Sequence, residues 1–147
     1  MTRAIVASVL LILITSACGG GGTLSTEDRQ ILDRAKAREK ARADLLATPS
    51  RFIEGGRWDL YDKGIINSYT RATAVEFTNR TEFDVSEIQG KITYFGEKGE
   101  ELATVPFTAD GNLRAGETKK LNVTAGEVTG RARQGRTVVE KLRILGG

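Results

Sequence analysis

Few side chains in this 147-residue chain could do chemistry. It contains no histidine, which removes the commonest general base and the commonest metal ligand. Glu100 and Glu101 are adjacent on a predicted strand, so they point to opposite faces and cannot act as a catalytic pair. Glu97, Glu100 and Asp84 could bind calcium, but the chain has no Asp-x-Asp-x-Asp-Gly loop. We therefore predict a non-enzymatic protein with no cofactor and no metal.

The only cysteine, Cys18, lies between an apolar run and four glycines. The run, residues 4–14, is apolar except for Ser8 and is too short to span a bilayer as a helix. A positive charge at Arg3, an apolar run of this length and small residues after it are typical of a secretory signal peptide. We predict such a peptide over residues 1–17.

The junction Thr15-Ser16-Ala17-Cys18 resembles the cleavage site of bacterial prolipoproteins. In that family an aliphatic residue and two small residues precede the cysteine that receives the lipid; here Thr15 stands where leucine is usual. The resemblance implies that Cys18 carries acyl chains, palmitate among them, and anchors the protein in the cell envelope, at an outer membrane facing the periplasm if the cell has one. The alternative is secretion after a cut behind Ala17, which would leave a free thiol at the new N-terminus.

Two segments separate this anchor from the folded part. Residues 18–24 form the predicted anchor and glycine tether. Residues 25–48 predict a charged helix, because Ser25 can cap it and Pro49 must stop it. Its basic and acidic side chains nearly balance and leave no continuous apolar stripe, which indicates a solvated spacer. A partner helix, or a basic face lying on anionic lipid, is the other interpretation.

Residues 51–147 predict one β-domain, because short alternating segments are separated by glycine-containing turns. The pattern favours a sandwich or a small barrel of about six strands. Four groups of residues should each share a face, and Pro106 should lie at a strand edge. These groups are Thr73, Val75 and Phe77; Ile88, Gly90, Ile92 and Tyr94; Ala103, Val105 and Phe107; and, in the last strand, Val138, Leu142 and Ile144.

The stretch "VEFTNRTEFDVSEIQGKITYFGEKGEELATVPF", followed by "LRAGETKKL", resembles small immunoglobulin-like accessory domains of bacterial envelope lipoproteins. That family has a strand ending in asparagine, an inner hairpin with glycine, and a Gly-Glu turn before a further strand. The resemblance covers residues 75–121 and implies an immunoglobulin-like β-sandwich with a binding or structural role. It carries over no active site.

The end of the chain is strongly basic. We predict that this segment faces a partner, either an envelope protein or a wall polymer, although charges on a strand edge can also serve only to prevent aggregation. Nucleic acid is not an expected partner of an exported protein, despite the pI of about 9.2. The candidate residues are Arg131, Arg133, Arg136, Lys141 and Arg143, with Glu140 the only acid among them.

The aromatic segment around Trp58 and Tyr61 precedes the first clear strand. We expect Trp58, Leu60, Tyr61, Ile65 and Ile66 to close one end of the core. The alternative is an aromatic patch, formed by Trp58 and Tyr61, that would make the protein a tethered solute-binding module. The leading prediction is a membrane-anchored envelope lipoprotein whose β-domain binds or supports another envelope component.

Overall fold

The structure, a computed structural model, describes residues 25–65 and 68–146. The predicted signal peptide 1–17, the anchor and tether 18–24 with Cys18, and Ile66 lie outside the described residues. Within the described ranges, no helix has both the length and the apolar character needed to cross a membrane.

Helix α1 spans Thr26–Ala47 and begins as predicted. The Ser25 hydroxyl accepts the Asp28 N–H at 3.1 Å and lies 2.7 Å from the Asp28 carboxylate, which caps the first turn. The helix ends two residues before Pro49, which opens a 3₁₀ turn, Pro49–Arg51. Pro49 is placed here because proline suits the first position of a helical turn.

The residues from Ala37 onward form one compact unit. This unit begins inside α1, earlier than the predicted domain start at residue 51. The reason is that Leu45 is completely buried in the core of the β-domain and Pro49 is buried as well. The last turns of α1 are part of the domain and do not belong to a detached spacer.

Eight antiparallel strands make the rest of the domain, and the prediction of a mainly β fold is confirmed. Their order is β1-β2-β6-β4-β3, with β5 and β8 paired to β3 and β7 paired to β2. The strands are β1 (Ile53–Lys63), β2 (Tyr69–Asn79), β3 (Val85–Phe95), β4 (Glu101–Asp110), β5 (Asn112–Leu113), β6 (Thr118–Ala125), β7 (Val128–Thr129) and β8 (Gln134–Ile144).

The sheet curls into two layers. Strands β1, β2 and β6 form one layer, and β4, β3 and β8 form the other. The layers join where the end of β4, residues 107–110, pairs with residues 122–125 of β6. This arrangement leaves β1 and β8 as the two outer strands, which pack against each other. The immunoglobulin-like topology remains a prediction.

The core lies between the layers, and the predicted β3–β4 hairpin supplies much of it. Ile88, Ile92 and Tyr94 on the predicted inward face of β3 are completely buried. Phe107 of β4 stacks on Phe77 of β2, with ring centroids 5.9 Å apart. Gly99 turns the hairpin at a φ of 79°, a conformation that favours glycine.

The aromatic segment forms β1, and the expectation that it packs on the core holds for Trp58 and Leu60 but is wrong for Tyr61 and Ile65. Strand β1 pairs with β2 along most of its length, and two irregularities in register follow Gly55 and Asp59. Tyr61 and Ile65 are exposed, whereas Trp58 and Leu60 are partly buried against the core.

The predicted inward face of β8 is wrong in its first half. Val139 is 2% exposed and faces the core, whereas Val138 is 40% exposed. Opposite Gln89 and Gly90 of β3, strand β8 carries one extra residue, Glu140, so the alternation of its side chains changes phase there. Leu142 and Ile144, beyond this bulge, are partly buried against the core as predicted.

Candidate functional site

The two outer strands meet at two glycines. A Cβ on Gly55 of β1 would lie 2.6 Å from the Cβ of Thr137, and a Cβ on Gly135 of β8 would collide with the Trp58 ring. Only glycine leaves room for these contacts, because real Cβ atoms do not approach so closely. The glycines therefore set the position of the Trp58 ring against β8.

A groove of about 340 Å³ opens beside this contact. One wall comes from β1 and the other from the start of β8. Such a volume is at the small end of the range for ligand pockets, about 300–1,000 Å³. The lining residues are Gly56, Trp58, Leu60, Arg133, Gln134 and Gly135.

Buried Tyr94 supports the Trp58 ring. Its ring meets the Trp58 ring edge to face, with centroids 6.3 Å apart and planes at 80°. Its hydroxyl accepts the Ala72 N–H at 2.8 Å, which ties β3 to β2 across the core. Burial raises the pKa of the Tyr94 phenol. Trp58 therefore rests on a rigid support.

The segment before β8 holds Arg133 at the groove. The Arg133 N–H donates to the Phe95 carbonyl at 2.9 Å, and the neighbouring Ala132 N–H donates to the Thr70 hydroxyl at 3.1 Å. Thr70 is itself completely buried. These two bonds anchor the backbone, so the Arg133 side chain projects from a fixed point at the groove wall.

We call residues 134–138 the open half of β8. They pair with residues 91–95 of β3 on one side. On the other side, no backbone hydrogen bond joins them to any part of the chain that the structure describes. An unpaired strand edge presents N–H and C=O groups to a partner.

The basic side chains at this end are exposed. Arg131, Arg133 and Arg136 have no carboxylate at ion-pair distance within residues 25–65 and 68–146. Arg136 lies over the Phe95 ring, with its guanidinium carbon 5.9 Å from the centroid. Positive charge at the open half is thus not neutralised by neighbouring acids.

We call residues 139–144 the closed half of β8. Arg143 is 3.1 Å from a Glu87 carboxylate oxygen, and Lys91 is 2.8 Å from one of Glu140. The 3₁₀ turn packs against β8, and in the described chain the outer edge of residues 139–144 forms no backbone pair either. Lys141 is exposed and lines a second concavity of about 520 Å³ with Glu140 and Pro106.

The five predicted basic residues therefore do not form one continuous strip. Arg131, Arg133 and Arg136 lie at or just before the open half. Lys141 and Arg143 lie beyond the bulge, on a surface that also carries Glu87 and Glu140. Arg136 and Arg143 are seven residues apart, which is about 23 Å along a strand.

Trp58 and Tyr61 do not form one patch either. Three positions apart on β1, they point to opposite faces. Tyr61 is 50% exposed and lies under the guanidinium of Arg71, 5.5 Å from its ring centroid. Leu60 takes the place beside Trp58 that the sequence suggested for Tyr61.

The groove offers contacts for binding. It combines an indole, an aliphatic side chain, a guanidinium and a free strand edge. Within the described ranges no group of three or more His, Cys, Asp and Glu side chains is arranged to hold a metal ion. Such a set of groups suits an extended or amphipathic ligand.

Comparison of the chain with protein-family models, with curated proteins and with solved structures finds no match.

Proposed function

We propose that this protein is a membrane-anchored envelope lipoprotein whose β-domain binds another envelope component without catalysing a reaction. The observation that carries the binding role is the groove beside the open half of β8, where Trp58 and Arg133 lie next to an unpaired strand edge. The observation that supports the anchor is the run of small residues before Cys18.

The lipid anchor is tested by substituting Cys18 and by measuring the mass of the mature N-terminus. A Cys18→Ser chain should leave the membrane fraction and accumulate in a soluble or unprocessed form, because several acyl chains are needed for stable attachment. Mass spectrometry of the wild-type N-terminus should find an acylated Cys18. An unacylated Cys18 at the mature N-terminus would contradict the anchor and leave secretion as the better account.

The binding role is tested by crosslinking in intact cells. The double variant Arg133→Glu, Arg136→Glu should lose the crosslinked partner that the wild-type chain captures, because it reverses two positive charges at the groove and the open half of β8. The control is Lys98→Glu, Arg114→Glu, which makes the same change in net charge at exposed turn positions. Equal capture by both double variants would remove the groove from the proposed function.

A second candidate, a tethered solute-binding module, is favoured by the groove volume of about 340 Å³ and by Trp58 on its wall. Trp58 is the only tryptophan, so its fluorescence reports on the groove alone. A solute that shifts this emission at low concentration in both low and high salt would favour this candidate over a charged macromolecular partner.

A further inference from the structure

We infer that the open half of β8 receives an extended, acidic segment of a partner protein, which adds to the sheet as a further strand. This inference rests on the proposed binding function and specifies the class of partner.

The backbone carries the first part of the argument. Residues 134–138 use only one side of the strand in pairing, and β1 forms no backbone pair with the other. Strand β1 meets β8 through side-chain contacts, with the Thr137 side chain against Gly55 and the Trp58 ring against Gly135. An added strand satisfies the free N–H and C=O groups of an edge, which is how extended peptides bind to sheets.

The side chains carry the second part. A strand beside the open half points alternate residues to opposite faces. On one face they meet Trp58 and Leu60, which favour apolar residues. On the other they lie beside exposed Arg136 and Val138. The best complement is therefore a segment in which apolar and acidic residues alternate.

The charge distribution selects the acidic partner. Some exposed basic residues of the domain have acids beside them, as in the pairs Lys120–Asp59, Arg80–Glu54 and Arg143–Glu87, and others, such as Lys98 and Arg114, do not within the described chain. At the open half, three basic residues without an acid neighbour lie within six positions of the chain. Arg131, Arg133 and Arg136 have no such neighbour among the described residues. Uncompensated charge at an interface sets the choice of partner more than it adds to stability.

An anionic lipid headgroup could also bind three arginines. A lipid headgroup cannot pair with the free strand edge or pack against the apolar wall formed by Trp58 and Leu60, whereas a polypeptide can do both. Binding of a polypeptide as an added strand therefore requires the backbone amides of the ligand, whereas binding of a headgroup does not.

The first experiment titrates the full chain, in detergent micelles, with a capped ten-residue peptide of alternating Glu and Val. Trp58 fluorescence is the readout. The Glu–Val peptide should bind at least tenfold more tightly than a Lys–Val peptide, and the preference should shrink as salt rises. The variant Arg133→Glu, Arg136→Glu should lose at least tenfold in affinity, whereas Lys98→Glu, Arg114→Glu should bind like the wild type.

The second experiment separates strand addition from simple charge attraction. Two versions of the Glu–Val peptide are N-methylated, one at odd and one at even positions, which blocks the amides of one peptide edge at a time and keeps every side chain. One version should lose at least tenfold in affinity and the other should keep most of it, because an added strand uses one edge.

Two results would overturn the inference and leave the proposed function standing. Equal binding of both N-methylated peptides would show that no strand forms. Binding of anionic phospholipid vesicles with the same dependence on Arg133 and Arg136, without binding of the Glu–Val peptide, would assign the site to a headgroup. If the variant Arg133→Glu, Arg136→Glu captures the partner in cells as well as the wild type does, the proposed binding role itself is overturned.

Discussion

The two halves of β8 are built from similar residues and meet different surroundings. In the closed half, Arg143 has Glu87 beside it and Lys91 pairs with Glu140. In the open half, Arg136 lies over Phe95 with no acid near it in the described chain, and one edge faces the groove. The first environment stabilises the strand; the second leaves it able to bind.

The bulge at Glu140 makes this difference possible. Without the extra residue, the face that carries Val139 into the core would also turn Lys141 and Arg143 inward, where unpaired charges are very unfavourable. The change of phase keeps Val139, Leu142 and Ile144 on the core side and all the charged side chains in solvent. Bulges are often found where a strand must redirect its side chains.

The largest expected effect tests which side chains of β8 face the core before the bulge at Glu140. Val139→Asp should lower the free energy of unfolding by about 4 kcal/mol or more, because it buries a carboxylate without a partner. Val138→Asp, one residue earlier and 40% exposed, should cost well under half as much. Urea denaturation of both variants measures the difference. Similar losses in the two variants would contradict the assigned bulge.

The next effect tests whether the last turns of α1 belong to the β-domain. Leu45→Ala should cost about 3 kcal/mol, since Leu45 is completely buried and the change leaves a cavity. Leu46→Ala removes the same atoms from a side chain that is 50% exposed and should change stability little. Thermal melts of the two variants compare them directly. If Leu45→Ala melts like Leu46→Ala, the last turns of α1 are a spacer after all.

A smaller effect belongs to the open half. Gly135→Ala should cost about 2 kcal/mol, because the new methyl group collides with the Trp58 ring and forces it away. It should also change the Trp58 emission. Gly56→Ala, on the facing wall, places its Cβ 3.5 Å from the nearest atom and should be tolerated. An unchanged emission in Gly135→Ala would place the indole elsewhere.

The smallest effect concerns pH. Burial raises the pKa of Tyr94 above the ordinary 10.0, so the folded state holds this proton more tightly than the unfolded state does. Its contribution to stability is complete below about pH 10 and is lost as the pH rises through the folded-state pKa. Urea denaturation at rising alkaline pH should therefore show a steeper decline for the wild type than for Tyr94→Phe. Parallel declines would show that Tyr94 is not buried as described.

Part of this architecture could be predicted because it depends on local pattern. The strict alternation from Ile88 to Tyr94 predicts the inward face of β3, and Ser25 with Asp28 predicts the start of α1. The change of phase in β8 could not be predicted, because Val138 and Val139 are equally apolar and the bulge depends on the register with β3.

The groove could not be predicted from the sequence either. Trp58 and Gly135 are far apart in the chain and meet only because the curled sheet brings its outer strands together. Glycines within the two outer strands, Gly55 and Gly135, were the available signs of a close contact. Asn79 is a similar case, because its burial depends on carbonyl groups of Phe83 and Arg114 that the fold brings to its amide.

The comparison of the two halves is tested most directly by site-specific photo-crosslinking along β8 in intact cells. A photoreactive amino acid is placed in turn at residues 134, 136 and 138 of the open half and at residues 141 and 143 of the closed half. The account predicts adducts with the same partner protein at the first three positions and none at the last two. Adducts of equal strength in both halves, or adducts at residues 141 and 143 alone, would contradict it.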